Sequence, residues 1–294
     1  MLIDANALIH RFFHALPPFT APDGQPTNAL YGLSGVLLKI LSPSKDSNQS
    51  KPDYIAAAFD TPEPTFREKE YKEYKAHRLP TANELVSQII LAEGVFNKFG
   101  VKTFGVPGFE ADDIVGTLAE RFKKDPELAE GQVVIMSGDN DILQLVDGNK
   151  VIARMFKTGI TETIDYDDKA VEARFGIKPQ QLPDYKGFVG DVSDNIPGVE
   201  GIGPKTAAGL LKEFGTTEEV FDSLAIVTNR NLAKKLEGRK EEALFSKHLA
   251  TIRRDTPVPV EKLGELKAEP LDKAALKKMF ERFGFKTLIE RLDK

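Results

Sequence analysis

The chain contains no cysteine. That excludes disulfides, thiolate zinc sites, iron–sulfur clusters and a cysteine nucleophile. Tryptophan is absent too, and four histidines are too few to favour a zinc centre built on several imidazoles. The longest apolar stretch, near residues 30–41, is too short for a bilayer and carries Lys39. Asp4 falls where a secretory signal needs basic or apolar residues, so the cytoplasm is the expected location. An excess of positive charge is also missing. Lys and Arg total 40 against 45 Asp and Glu, so an anionic partner must be met by local cations or by metal ions. Neither a Walker-type loop nor a dinucleotide glycine fingerprint occurs, which argues against a metabolic or phosphotransfer α/β enzyme. What is present is a globular balance, 41% hydrophobic and 29% charged, over 294 residues, a length that suggests roughly two domains.

The first half alternates short apolar runs with amphipathic ones, as a parallel sheet with helices on both faces requires. Strands are expected at residues 1–3, 54–59, 133–137 and 151–156, with a weaker one at 102–106. Helices are expected at 28–41, along the apolar steps Leu85, Ile89, Ala92, Phe96 and Phe99, and through Ile114, Val115, Leu118, Ala119 and Phe122. Thr81 and Glu84 read as a capping box for the second of these. The polar stretch 44–50 reads as a loop. Beyond residue 170 the strand patterns fade. Helices at 179–189, 205–214, 217–224 and 239–248 then alternate with Gly and Pro breaks, and an amphipathic helix follows at 271–283. No tandem repeat is visible.

Carboxylates fall in informative places. Asp4, Asp60 and Asp139 each follow the carboxyl end of an expected strand, the edge where open α/β sheets bind ligands. Asp141 lies two residues beyond Asp139. Glu110, Asp112 and Asp113 open a helix, and Asp191 and Asp194 lie in a Gly/Pro-rich loop. Taken singly, an Asp after a strand is more often a turn or cap residue, and acids at a helix start favour its dipole. Jointly, so many carboxylates at one edge would repel one another unless divalent cations joined them. Magnesium and manganese prefer such hard oxygen donors. Two ions held there would prepare water and stabilise a phosphoryl transition state, so the pattern points to metal-assisted phosphodiester hydrolysis.

Two further segments suit a nucleic-acid substrate. Residues 66–78 (FREKEYKEYKAHR) carry five basic and three acidic residues with Phe66, Tyr71 and Tyr74 interleaved. Cations meet phosphates and aromatic rings stack on bases; the plainer reading is a solvated helix with Glu68–Lys72 pairing. Residues 197–207 (PGVEGIGPKTA) read as a tight turn opening a helix at Lys205, whose exposed amides could hold a phosphate without reading sequence.

Five ordered strings together resemble the 5′-nuclease (5′→3′ exonuclease and flap endonuclease) family, known from the N-terminus of bacterial DNA polymerase I and from free-standing relatives. They are LIDANALIHRFFHALPP (2–18), FDTPEPTFREKEYKEYKAHR (59–78), GFEADDIVGTLA (108–119), SGDNDILQL (137–145) and GDVSDNIPGVEGIGPKTA (190–207). The resemblance implies an α/β fold, a mainly parallel sheet flanked by helices as a PIN-like nuclease core, with a helical helix–hairpin–helix-type DNA-binding domain. The core would span 1–170 with an arch-like basic segment at about 61–84. The hairpin domain would span 171–260, and 261–294 would pack back on the core. A free-standing nuclease is the simple expectation, and a domain cut from a polymerase would read the same.

By the same resemblance, Asp4, Asp60, Glu110 and Asp112 would gather around one metal. Asp139, Asp141, Asp191 and Asp194 would gather around a second, with Asp112 or Asp113 close to both. Lys75 and Arg78 would contact the scissile phosphate, Tyr74 would stack on a base, and Arg67 and Lys72 would meet DNA. Gly198, Gly201, Gly203, Lys205 and Thr206 would form the phosphate-binding hairpin, with a potassium ion held by its carbonyls. The implied cofactors are two Mg2+ ions, with Mn2+ as substitute. The implied substrate is branched or 5′-ended DNA, extending to the RNA of RNA–DNA hybrids, cut to leave 5′-phosphates by a monomer. Polymerase or ligase partnership is plausible from the pathway alone. A silent structure-binding protein and an RNA-cleaving relative are the competing expectations; a bare acidic cluster disfavours the first and the long hairpin region the second.

Overall fold

A computed structural model describes residues 1–43, 50–128, 131–157, 159–160 and 162–293. Six strands form one sheet: β1 Leu2–Asp4, β2 Ala56–Phe59, β3 Lys102–Gly105, β4 Val133–Ser137, β5 Val151–Phe156 and β6 Thr163–Tyr166. Their order is β3-β2-β1-β4-β5-β6. The first five run parallel, and β6 closes one edge antiparallel to β5. The chain leaves β1 for β2 on one side and later returns to place β4 on the other. The carboxyl ends of β1 and β4 therefore flank a crevice at the point where strand order reverses, which is where such sheets bind ligands.

Both faces are covered. Successive strand residues point to opposite faces, and the core divides accordingly. Ile3, Ala57, Met136 and Phe156 meet helices α1 Ala5–Ala15, α2 Asn28–Leu41 and α4 Asn83–Lys98. Leu2, Ala56, Ala58, Ile135 and Ala153 meet α5 Ala111–Phe122 and the helical second half. Between these helices lies α3 Phe66–Glu70. The second half comprises α6 Asp168–Phe175, α7 Leu182–Val189, α8 Pro204–Phe214, α9 Thr217–Asp222, α10 Arg230–Leu236 and α11 Lys240–Ala250. Two last helices, α12 Lys273–Phe283 and α13 Lys286–Leu292, return to the first face, where Leu276, Phe280, Phe285 and Leu288 are buried with α2 and α4. Among the described residues no helix is long and apolar enough to cross a membrane.

Several local expectations need correction. Strand β6, which carries no clear apolar period, and helix α1, whose apolar residues Ala5, Leu8, Ile9 and Phe12 follow directly on β1, are not among the expected elements. Thr81 and Glu84 do not cap α4; its N-cap is Ala82, with no side-chain bond. The capping box lies instead at Thr65 and Glu68, where Glu68 accepts from the Thr65 amide at 2.7 Å. That commits the Glu68 carboxylate, and the helix ends at Glu70, so the expected Glu68–Lys72 helix does not form. Residues 44–49 of the expected loop lie outside the described residues.

Candidate active site

Each acidic residue is positioned by the element it follows. Asp4 ends β1 and caps α1, accepting from the Ala7 amide at 3.0 Å. Its other oxygen accepts from Ser137 at the end of β4, at 2.7 Å. Asp60 follows β2 and accepts from the Ala111 amide at 2.7 Å. Glu110 is the N-cap of α5, and Asp112 lies in its first turn. Asp139 follows β4 and accepts from the Asp141 amide at 2.9 Å. Asp191 and Asp194 stand in the loop between α7 and α8, joined to the core through Lys186 and Lys75.

Asp4, Asp60, Glu110, Asp112 and Asp139 line one cleft of about 700 Å³, with Lys75, Arg78 and Ser193 at its border. The carboxylate oxygens of Asp141, Asp191 and Asp194 lie within 4.8 Å of one another, the one such His/Cys/Asp/Glu group among the described residues. Lys75 links the two sets, 2.6 Å from Glu110 and 3.8 Å from Asp194.

Burial and mutual repulsion raise the proton affinity of Asp4, Asp60 and Asp112. Burial pushes Asp4 up to about 7, with Asp60 and Asp139 adding to the effect. Asp60 is raised by burial and then by Glu110. Asp112 is held well above the usual carboxylate range by burial and then by the Asp113 charge. Its Oδ1 is buried with no hydrogen-bond partner. Asp191 moves the other way: burial alone would raise it, but the Lys186 ammonium and the hydrogen bonds from Ser193 together hold it below its ordinary value. An all-oxygen donor set with an orphaned carboxylate oxygen fits a hard divalent cation. The protein's own cations also lie among the acids. Lys186 bonds both Asp141 and Asp191, and Arg78 bonds Asp194 at 2.6 Å.

The basic segment is pinned onto this site. The Lys75 amide donates to the Asp194 carbonyl at 2.9 Å, and Asn195 Nδ2 to the Glu73 carbonyl at 2.7 Å. Lys75 and Asn195 are the two non-glycine residues with positive φ among the described residues, 53° and 57°. Such backbone costs about 1–3 kcal/mol and persists only where its surroundings enforce it. Tyr71 packs edge-on against Phe245 of α11.

Three expected roles do not match this arrangement. Asp113 is fully buried and faces away from the cleft, both oxygens bound by Arg67 at 2.8 and 2.9 Å. Arg67, expected on DNA, is 2% exposed and also donates to the carbonyls of Leu249 and Thr251. Tyr74, expected to stack on a base, is buried, with its hydroxyl donating to Glu110 at 3.0 Å and Asp194 at 2.9 Å. Lys72 is exposed as DNA contact would require.

At the hairpin, Gly198 is held by backbone rather than offered to a ligand. A Cβ there would lie 2.4 Å from the Val189 carbonyl carbon. Gly201 takes φ +77°, Gly203 caps α8 and Pro204 opens it, leaving Lys205 exposed and Thr206 half-buried. Lys235 donates to the Gly201 carbonyl at 3.1 Å.

Sequence reasoning passed over several residues at the site. Ser137 seats Asp4, and Asn6 accepts from the Asp60 amide at 3.2 Å. His10, Arg11 and His14 line the cleft from α1. Their helical spacing from Asp4 was a usable signal once Asp4 is taken as a helix cap. Lys186 had no such signal.

Residues 1–176 match the model of the 5'-3' exonuclease N-terminal resolvase-like domain, and residues 177–274 that of the 5'-3' exonuclease C-terminal SAM fold. DNA polymerase I of Caldicellulosiruptor bescii is 39% identical over 294 residues, 99% of this chain and 33% of that protein. DNA polymerase I of Bacillus subtilis is 38% identical over 292 residues, 99% of this chain and 32% of that protein. The chain thus spans about a third of the length of the curated relatives it matches. Among solved structures, zinc-bound T5 5'-exonuclease superposes with TM-score 0.64 at 24% identity, over 85% of this chain and 88% of that one. The catalytic core of Rad2 in complex with DNA substrate gives 0.61 at 16% identity, over 96% and 85%. Fold and matches together define a nuclease of the hydrolase class. Within that class, the chain belongs to the 5'-3' exonuclease family.

Proposed function

We propose that the chain is a structure-specific 5′ nuclease that hydrolyses phosphodiester bonds at 5′ flaps and 5′ ends of DNA and leaves 5′-phosphates. One observation carries the reading. Eight carboxylates from two separate halves of the chain converge at the sheet's reversal point, bordered by Lys75 and Arg78. Asp4, Asp60, Glu110 and Asp112 would hold one Mg2+; Asp139, Asp141, Asp191 and Asp194 would hold a second, with Mn2+ as substitute. When bound, such ions supply a nucleophilic water at neutral pH and neutralise charge on the phosphoryl group. Lys75 and Arg78 would leave Glu110 and Asp194 to bind the scissile phosphate, adding positive charge where the transition state gathers negative charge.

Exposed Lys72 and Lys205, and the first amides of α8, would hold backbone phosphates whatever the base sequence. The RNA of an RNA–DNA hybrid offers the same phosphates. A potassium ion at the hairpin would compete with Lys235 for the Gly201 carbonyl. The chain would act as a monomer in the cytoplasm with a polymerase or ligase as partner; its likeness to a third of DNA polymerase I supports the polymerase. The test is cleavage of a 5′-labelled flap duplex with magnesium, with a chelator control and Asp112→Asn alongside. Cutting near the junction that needs both the ion and Asp112 is expected. Tight binding with no cutting would overturn the reading in favour of a silent structure binder.

A further inference from the structure

Lys186 lies in the last turn of α7, and its side chain is 14% exposed. Its ammonium bonds Asp141 from the core and Asp191 from the loop after α7. These are two of the three residues whose carboxylate oxygens already lie within 4.8 Å of one another. The third, Asp194, is held by Arg78 and Tyr74. Lys186 thus bridges the pair of carboxylates that the second ion would bridge, and it does so with one positive charge. One charge limits the repulsion between Asp141 and Asp191 without neutralising the site. A divalent cation neutralises it more fully.

We propose that Lys186 is a built-in placeholder for the second divalent ion: its ammonium occupies that position while the ion is absent and is expelled when the ion binds. Lys186 therefore sets the affinity of the second site, while the buried Leu182 and Phe188 hold α7 on the core. A competitor that fills a site nine-tenths of the time weakens the ion's apparent affinity about tenfold. The inference rests on the two-ion reading above.

The test uses Mn2+ and no DNA. Mn2+ binding is followed by electron paramagnetic resonance on the wild-type protein and on Lys186→Met. The weaker of two dissociation constants is expected to fall about tenfold in the variant. A purely structural ion pair predicts the opposite, since losing it would disorder the ligands and weaken Mn2+ binding. In parallel, acylation of lysine amines on the wild-type protein is read by mass spectrometry, with exposed Lys205 as internal reference. Lys186 should label slowly without ions and several-fold faster at saturating Mn2+. Unchanged labelling on a protein that binds two Mn2+ overturns the placeholder and leaves the two-ion reading intact. It decides the matter even if Lys186→Met fails to fold. Binding of fewer than two Mn2+ to the wild-type protein overturns the two-ion reading itself.

Discussion

Replacing Arg67 by alanine should act on folding before it acts on DNA. The guanidinium is 2% exposed and Asp113 is fully buried. Arg67 makes two bonds to Asp113 at 2.8 and 2.9 Å, one to Glu110 at 3.2 Å, and one each to the carbonyls of Leu249 and Thr251. It therefore ties the start of α5 to the end of α11. Removing it strands a buried carboxylate, and breaking such a pair by deleting one partner costs about 3–5 kcal/mol. Two abandoned carbonyls add about 1–3 kcal/mol each, though the terms overlap and do not sum. A loss of about 3–5 kcal/mol lowers the thermal midpoint by roughly 6–20 °C for a chain somewhat above 150–250 residues. Arg67→Lys keeps the charge but loses the fork, and should fall between the two proteins. Urea unfolding followed by circular dichroism, without divalent ions, gives the number. A charge-free pair, Arg67→Met with Asp113→Asn, should recover part of the loss, because it removes the unpaired charge while the Asn oxygen can still accept from the Arg253 amide. If Arg67→Ala stays within about 1 kcal/mol of the parent and only DNA affinity falls, the buried-tie account is wrong and Arg67 reaches the nucleic acid.

Other expectations follow from the same site. Asp112→Asn should raise ion-free stability at neutral pH, since it removes a buried charge with an unpartnered oxygen; a lower unfolding midpoint would refute the assignment of Oδ1 as orphaned. Asp4 rises from 3.8 to about 7 on folding, so the folded state holds its proton more tightly. Its contribution to ion-free stability is therefore full below about pH 4, fades as the pH climbs to 7 and is level beyond. Chemical denaturation at stepped pH should show this slope flatten on adding Mg2+; a rise in ion-free stability from pH 4 to 7 through this group would contradict it. Lys72→Ala should leave stability unchanged and lower the salt slope of DNA binding by about one unit, as loss of one phosphate contact does. Gly198→Ala should unfold the reversal after α7, because its Cβ would lie 2.4 Å from Val189 and 2.5 Å from the Gly190 nitrogen, both backbone. A soluble, stable Gly198→Ala protein would show that the hairpin can shift.

The sheet was legible where burial leaves an uninterrupted apolar run. Residues 133–137 and 151–156 are central or near-central strands, and both are found at the expected positions. Strand β6 lies at an edge, half-buried only at Thr163 and Tyr166, with Ile164 39% exposed and Asp165 exposed, so it offered no apolar period to find. Helix α1 was hidden for a different reason. Its buried residues Ala5, Leu8, Ile9 and Phe12 follow a three-residue strand directly, and the two periods merge. Tertiary contact rather than propensity ended α3, where the chain must turn to carry Tyr71 onto Phe245.

The carboxylates were legible as a set because strand ends and a helix start are one-dimensional features. Their division of labour was not. Asp112 and Asp113 are neighbours in sequence, yet α5 turns them about 100° apart, sending Asp113 into Arg67 and leaving Asp112 at the cleft. A basic segment read by composition treats its cations alike. Folding separates them by depth: Arg67 is buried as a tie, Lys75 and Arg78 are held on acids, and Lys72 is left in solvent. Lys186 lies five residues before Asp191 and 45 after Asp141, and no local spacing couples it to either. A counter-cation that meets acids from two parts of the chain becomes visible only when the second half docks.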